Sequence, residues 1–147
     1  MIKALVVDDS ALVRKLFRAV LTRERDFEVE FARNGVEALA LLDTFAPDVI
    51  TLDVNMPQMG GLECLDQIML RKPCPVVMVS SLTAEGAEET LAALRLGAVD
   101  FVVKPEGAVS LGMEAFAPML LDKIRAAAAA RPKASLRPLS PSPAKRS

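Results

Sequence analysis

A chain of 147 residues, 52% hydrophobic and 25% charged with a net charge of −1, has the composition of one folded domain with a short appendage and not of a disordered polymer. It contains no histidine and only two cysteines, Cys64 and Cys74. That excludes histidine-based hydrolase triads, a phosphohistidine-donor role and a disulfide scaffold, and it leaves a zinc site without a credible ligand set. Apolar runs of four to six residues are far too short to span a membrane, and Asp8-Asp9 cut off the N-terminal run before it could serve as a signal peptide. A cytoplasmic protein without membrane insertion is expected.

Residues 4–7 form the first predicted strand, ended by Asp8-Asp9. Ser10 then caps a helix whose Leu12, Val13, Leu16, Phe17, Val20 and Leu21 recur at 3.6-residue spacing. Phe27, Val29 and Phe31 alternate with charged neighbours, the pattern of a strand with one buried face. Asn34-Gly35 leads into a helix carrying Val36, Leu39, Ala40 and Leu42, which Pro47 stops. The third strand, residues 49–52, ends at Asp53. After a loop with Met56-Pro57 and Gly60-Gly61, a helix places Leu62, Leu65, Ile68 and Met69 on one face.

Pro73 and Pro75 flank the entry to the fourth strand, residues 76–79. A helix through Leu91, Leu94 and Leu96 ends at Gly97, a C-cap, and the fifth strand covers residues 99–103 before Lys104-Pro105. Pro118 suits the first turn of the last helix, with Leu121 and Ile124 facing the core and residues 106–116 left as an irregular loop or a short separate helix. Short apolar strands alternating with helices require crossover connections, hence parallel strands covered on both faces. The expected architecture is an open, doubly wound α/β sheet of five parallel strands.

Residues 131–147 hold Arg131, Lys133, Arg137, Lys145 and Arg146, no acid and four prolines, so a tail of +5 stands against −6 on the remainder. The split divides the chain into a domain over residues 1–127 and a proline-rich basic linker or tail over 128–147. The tail lacks the aromatics and helical framework of a nucleic-acid binder, so linker is the stronger reading.

Open α/β sheets bind ligands at the carboxyl ends of their strands. Here that edge collects Asp8 and Asp9, Asp53, Ser80 and Ser81, and Lys104. Three crowded carboxylates resist ionisation unless a cation joins them. Mg²⁺, content with few carboxylates plus water and phosphate, answers that need. Taken singly, Asp8-Asp9 reads as a capped strand end, Ser80-Ser81 as loop residues, Lys104-Pro105 as a strand exit and Phe101 as core. Their joint arrangement argues against four coincidences. Cys64 and Cys74 read as structural, with nothing nearby to activate them.

Leu5-Val6-Val7-Asp8-Asp9-Ser10, Leu52-Asp53-Val54-Asn55-Met56-Pro57 and Phe101-Val102-Val103-Lys104-Pro105 resemble the three signatures of bacterial response-regulator receiver domains. They come in order, with 44 residues from Asp9 to Asp53 and 51 from Asp53 to Lys104. The resemblance covers residues 1 to about 127. It implies two-component signalling and the flavodoxin-like strand order 2-1-3-4-5, which comes with the family and not from the pattern. It further implies that Asp53 is the nucleophile, becoming an aspartyl phosphate, with a sensor histidine kinase as phosphodonor. Asp9, Asp53 and the backbone carbonyl of Asn55 would ligate Mg²⁺, with Asp8 acting through a water. Lys104 and Ser80 would bind phosphate oxygens, and Ser80 with Phe101 would form the moving parts of a switch. A cis bond at Lys104-Pro105 is implied too, against a base rate favouring trans.

Finer features point within the family. Val77-Met78-Val79-Ser80-Ser81-Leu82-Thr83, then Gly97-Ala98-Val99-Asp100-Phe101 running into Lys104-Pro105-Glu106-Gly107, then Ala108-Val109-Ser110-Leu111 before the last helix and the linker, resemble the regulatory domain of the chemotaxis protein-glutamate methylesterase/glutaminase (CheB) family. Glu106 stands where that family often has serine. In that family a serine-histidine-aspartate esterase domain follows the linker and acts on chemoreceptors, so the chemoreceptors would be indirect partners. With no histidine this chain carries no complete hydrolase, and an end within a linker is expected of a fragment or a truncated product. The alternatives are a stand-alone receiver, a receiver of a DNA-binding regulator, a receiver that only docks, and an aspartate-nucleophile phosphatase. The last needs a proton-shuttling acid where Asn55 stands.

Overall fold

The computed structural model describes residues 1–81, 83–104 and 109–130. Strands and helices alternate as β1 (Ile2–Val7), α1 (Ala11–Leu21), β2 (Phe27–Ala32), α2 (Gly35–Thr44), β3 (Val49–Asp53), α3 (Gly61–Arg71), β4 (Val76–Ser80), α4 (Ala84–Leu96), β5 (Asp100–Val103) and α5 (Val109–Ala129). All strand pairs are parallel, in the order β2-β1-β3-β4-β5. This is the doubly wound flavodoxin-like sheet that the resemblance implied.

Side chains alternate across the sheet into two cores. Leu5 and Val7 join Ile50, Leu52 and Met78 under α2, α3 and α4, where Leu42, Leu65 and Ile68 meet them. Ala4 and Val6 join Val77, Val79 and Val102 on the other face, where Phe17, Val20 and Leu21 of α1 and Phe116, Leu120 and Ile124 of α5 cover them. Every residue of β3 and β4 is buried. Double-sided burial is why these strands read as unbroken apolar runs. Each fully buried Leu or Ile contributes about 1.5–3 kcal/mol relative to exposure.

The helix stripes are narrower than the apolar periodicity suggested. Leu12 and Val36 are exposed at 69% and 60%, and Ala40 also faces out. The buried stripe of α2 runs through Gly35, Ala38, Leu39 and Leu42, so Leu39 and Leu42 face the core as expected while Gly35 and Ala38 take the places expected of Val36 and Ala40. On α4 it runs through Gly86, Thr90 and Ala93, so small residues let the helix lie close to the sheet. Leu91 and Leu96 fall outside that stripe and are exposed.

The largest correction concerns the last helix. Residues 109–116 belong to α5, and Pro118 lies inside the helix, not in its first turn. Proline removes one backbone hydrogen bond. Pro118 is on the solvent face, while Phe116, Leu120, Ile124 and Ala127 hold the flanking turns to the sheet. That packing outweighs the lost bond. Residues 131–147 and 105–108, and with them the Lys104-Pro105 peptide and Glu106, lie outside the described residues. Among those described, no helix is long and apolar enough to cross a membrane.

Candidate functional site

The Asp8-Asp9 turn is held by four hydrogen bonds. The Asp8 N–H donates to the Ala32 carbonyl at 3.1 Å, extending the β1–β2 ladder one residue past the strands. The Asp8 Oδ1 accepts from the Ser10 N–H at 2.9 Å, and the Ser10 hydroxyl accepts from the Val13 N–H at 3.3 Å, capping α1 as expected. Arg14, which the motifs passed over, donates Nη1 to the Asp8 carbonyl at 2.7 Å. Its only signal in the sequence is a basic residue one turn into the helix that follows an acidic pair.

Asp53 closes β3, in register with Val79 of β4. Its Oδ1 accepts from the Asn55 N–H at 3.1 Å. The start of α3 lies directly against this strand end, with the Gly61 N–H on the Val54 carbonyl at 3.0 Å. A Cβ on Gly61 would overlap the Asp53 carbonyl oxygen and lie 2.7 Å from the Val54 Cα. The Gly60-Gly61 pair is therefore more than a turn: Gly61 permits the close approach that seats Asp53. Lys104 is placed by its own N–H, which donates to the Ser80 carbonyl at 2.8 Å just past β5.

These placements bring the charged residues together. Asp8, Asp9 and Asp53 each put a carboxylate oxygen within 4.8 Å of the others. The Lys104 Nζ lies 3.2 Å from the Asp53 Oδ1 and 3.5 Å from the Asp8 Oδ2. Asp8 and Asp53 are buried, whereas Asp9 opens to solvent. Burial and the neighbouring Asp8 charge push the Asp53 carboxyl up to about 7, with Lys104 and the Asn55 N–H only partly offsetting them. Burial also raises Asp8, against the Ser10 N–H and Lys104. Burial works against the Lys104 ammonium, but the Asp8 and Asp53 charges outweigh it and hold the amine above its ordinary range.

One amine thus pairs with two members of a three-carboxylate cluster, and the Asp53 Oδ2 is buried without a hydrogen-bond partner among the described residues. Such an oxygen is costly to leave unmet. An all-oxygen donor set, an orphaned carboxylate oxygen and uncompensated negative charge together fit a hard cation.

Of the other expected site residues, Ser80 is buried at the end of β4, one position past the partner of Asp53. Ser81 and Thr83 share a hydroxyl contact at 3.3 Å, and Thr83 caps α4 through the Gly86 N–H at 2.9 Å. Asn55 is exposed in the loop after Asp53. Phe101 stands apart from the acidic cluster. It is 37% exposed on the edge strand β5, where it lines a groove that Ser80 also lines. Cys64 is buried, and burial pushes its thiol up to about 11, as a structural cysteine requires.

A doubly wound α/β sheet whose strand ends gather three acids and a lysine defines an open-sheet domain with an acidic cluster that could hold a metal ion. The comparisons give the family. Residues 4–114 match the family model described as the response regulator receiver domain, and the chain belongs to that family. It is 59% identical over 136 residues to protein-glutamate methylesterase/protein-glutamine glutaminase 3 of Rhodospirillum rubrum, covering 92% of this chain and 37% of the relative. The Vibrio cholerae protein of the same name is 51% identical over 142 residues, covering 97% of this chain and 39% of the relative.

The crystal structure of the response regulator domain of Thermotoga maritima CheB superposes with a TM-score of 0.80 at 47% identity, covering 90% of this chain and 99% of that one. The resemblance to the CheB regulatory domain is thereby borne out, and the stand-alone, DNA-binding and phosphatase alternatives are not favoured. The chain spans less than two fifths of the length of the full relatives.

Proposed function

We propose that this domain is the phosphoacceptor of a two-component relay, in which Asp53 takes a phosphoryl group from a phosphohistidine on a partner sensor kinase of chemotaxis. The observation that carries this reading is Asp53 itself: a buried carboxylate with one unpartnered oxygen, an ammonium 3.2 Å from the other, and two more carboxylates alongside. Asp9, Asp53 and the backbone carbonyl of Asn55 would hold Mg²⁺ directly, and Asp8 through a water. When bound, the ion supplies the positive charge that lets three carboxylates and an incoming phosphoryl group share one pocket.

The rest falls to the protein's own groups. Asp53 reacts as the carboxylate: one of its oxygens bonds to phosphorus as the donor's P–N bond breaks, and the departing electron pair stays on the histidine ring nitrogen. Lys104 favours the ionised form beforehand and pairs with a phosphoryl oxygen afterwards, while the Ser80 hydroxyl donates to another. The new group carries nearly two negative charges and three strong acceptors. Drawing Ser80 toward it opens room for Phe101 and so alters the α4–β5 face.

The relatives support a methylesterase/glutaminase as the output. Residues 1–127 then form the receiver, residues 128–147 the linker, and chemoreceptors are served indirectly through the output domain, all in the cytoplasm. Mg²⁺-dependent labelling with acetyl phosphate, followed by peptide mapping, tests the proposal. Label on the peptide containing Asp53, absent from Asp53→Asn, is expected. A base-labile adduct that persists in Asp53→Asn overturns it.

A further inference from the structure

Among the described residues Phe101 is the one aromatic side chain lining the groove, and a lysine meets both its backbone and its ring. β5 is an edge strand, so among the described residues its outer backbone groups meet no further strand. Lys123, reaching from α5, donates its Nζ to the Phe101 carbonyl at 2.7 Å and to the Asp100 Oδ1 at 3.3 Å. The same carboxylate oxygen of Asp100 accepts the Phe101 N–H at 2.7 Å. The Lys123 ammonium also lies 5.0 Å from the centroid of the Phe101 ring, within cation–π range. Backbone, neighbouring acid and ring of Phe101 therefore converge on one amine, and that amine is on the α5 side of the sheet edge.

On the other side is the groove, of about 300 Å³, lined among others by Ser80, Thr83, Ala87, Thr90, Leu91 and Val103. A cavity of roughly 150 Å³ already admits benzene, so the groove has ample room for a phenyl ring. An apolar ring left 37% exposed beside an apolar groove needs a reason to stay out. Phenylalanine has no hydroxyl with which to anchor itself outward, which leaves the ring's quadrupole as its only polar handle.

We infer that Lys123 is a positioning residue that holds Phe101 out of the groove and so sets how readily the domain adopts its phosphorylated conformation. The inference rests on the switch reading above. If the inward ring belongs to the phosphorylated state, anything that favours the outward ring must weaken binding of a phosphoryl group, by at most the same factor. Loss of an exposed cation–π contact corresponds to about a two- to fivefold change in such an equilibrium. The sign is diagnostic. Deleting a positive charge would by simple electrostatics weaken binding of an anion, whereas release of Phe101 tightens it.

The test uses 4-fluorophenylalanine-labelled protein, with Lys123→Met to remove the amine but keep the stem and Lys123→Arg to retain the cation. The solvent-isotope shift of the Phe101 fluorine reads ring exposure, and titration with beryllofluoride in Mg²⁺ reads affinity for a phosphoryl mimic. Lys123→Met is expected to bury the fluorine and lower the beryllofluoride Kd about two- to fivefold, with Lys123→Arg staying near wild type. The inference is overturned if the fluorine stays as exposed as in wild type. It is equally overturned if the Kd is unchanged or rises, or if the same fall appears in a Phe101→Ala background, where no ring remains to be held. Failure of the wild type to bind beryllofluoride would instead strike the phosphoacceptor reading, and the fluorine exposure of the unliganded variant would still decide the role of Lys123.

Discussion

The Lys104 ammonium bridges Asp53 and Asp8, 3.2 Å from one carboxylate and 3.5 Å from the other, and both acids are almost wholly buried. A single positive charge cannot neutralise two buried anions, so the pocket keeps a negative excess. Replacing the amine exposes that excess. Lys104→Met is expected to cost on the order of 1–3 kcal/mol at pH 7 without metal, because it strands buried charge. At pH 4.5, where Asp53 is protonated in the folded protein, the cost should shrink. Urea denaturation at the two pH values checks this, and equal losses would mean that Lys104 acts through its stem alone.

Asp53 makes the metal-free protein sensitive to pH in a definite direction. Its carboxyl is raised from an ordinary 3.8 to about 7 in the folded state, with burial the largest cause. The unfolded chain therefore gives up this proton first. The associated stability is present below about pH 4 and is lost as pH rises through 7. Wild type in a chelator should lose stability across that window. Asp53→Asn should flatten the slope and be the more stable protein at pH 8. A wild-type profile that is level from pH 4 to 8 contradicts the assignment.

Metal should reverse that loss. Mg²⁺ at about a hundred times its Kd is expected to stabilise the fold by about 2.7 kcal/mol if it binds only the native state. Asp9 is the exposed member of the cluster. Asp9→Asn should accordingly leave the metal-free melting temperature near wild type while removing most of the Mg²⁺-induced shift. Retention of the full shift would take Asp9 out of the ligand set.

Gly61 offers a test of how the site is seated. Any side chain there would press on the Asp53 carbonyl and the Val54 Cα, which is backbone and cannot swing aside. Gly61→Ala should cost about 1–3 kcal/mol despite the better helix propensity of alanine. It should also slow acetyl-phosphate labelling, since Asp53 would have to move. Gly60→Ala, with open space at that position, is the matched control and should be close to neutral in both measurements.

Asp8, Asp9, Asp53 and Lys104 were legible before any coordinates because each stands at or just past the carboxyl end of a strand, and parallel strands put those ends on one edge. Gly97 and Ser10 were legible as caps because the backbone demands them locally. The contributions of Arg14 and Lys123 were not. Each acts on a backbone carbonyl, a partner without sequence identity, and Lys123 lies 22 residues from the one it meets at 2.7 Å. Leu91 and Pro118 misled for a related reason: apolarity and proline chemistry state what a residue prefers, while the neighbouring sheet decides what it receives.

From the residues alone, then, came the alternation of strands and helices, the doubly wound class, the acidic pocket and the family that carries it. The first three follow from periodicity and strand ends, and the family from the resemblance of three short motifs, all of them properties of short segments. Only the folded chain decided which face of α4 is buried, how far α5 extends, that the Asp53 Oδ2 has no partner among the described residues, and that Lys123 reaches the ring of Phe101. Such facts depend on distances between segments far apart in sequence, and no local preference encodes a distance.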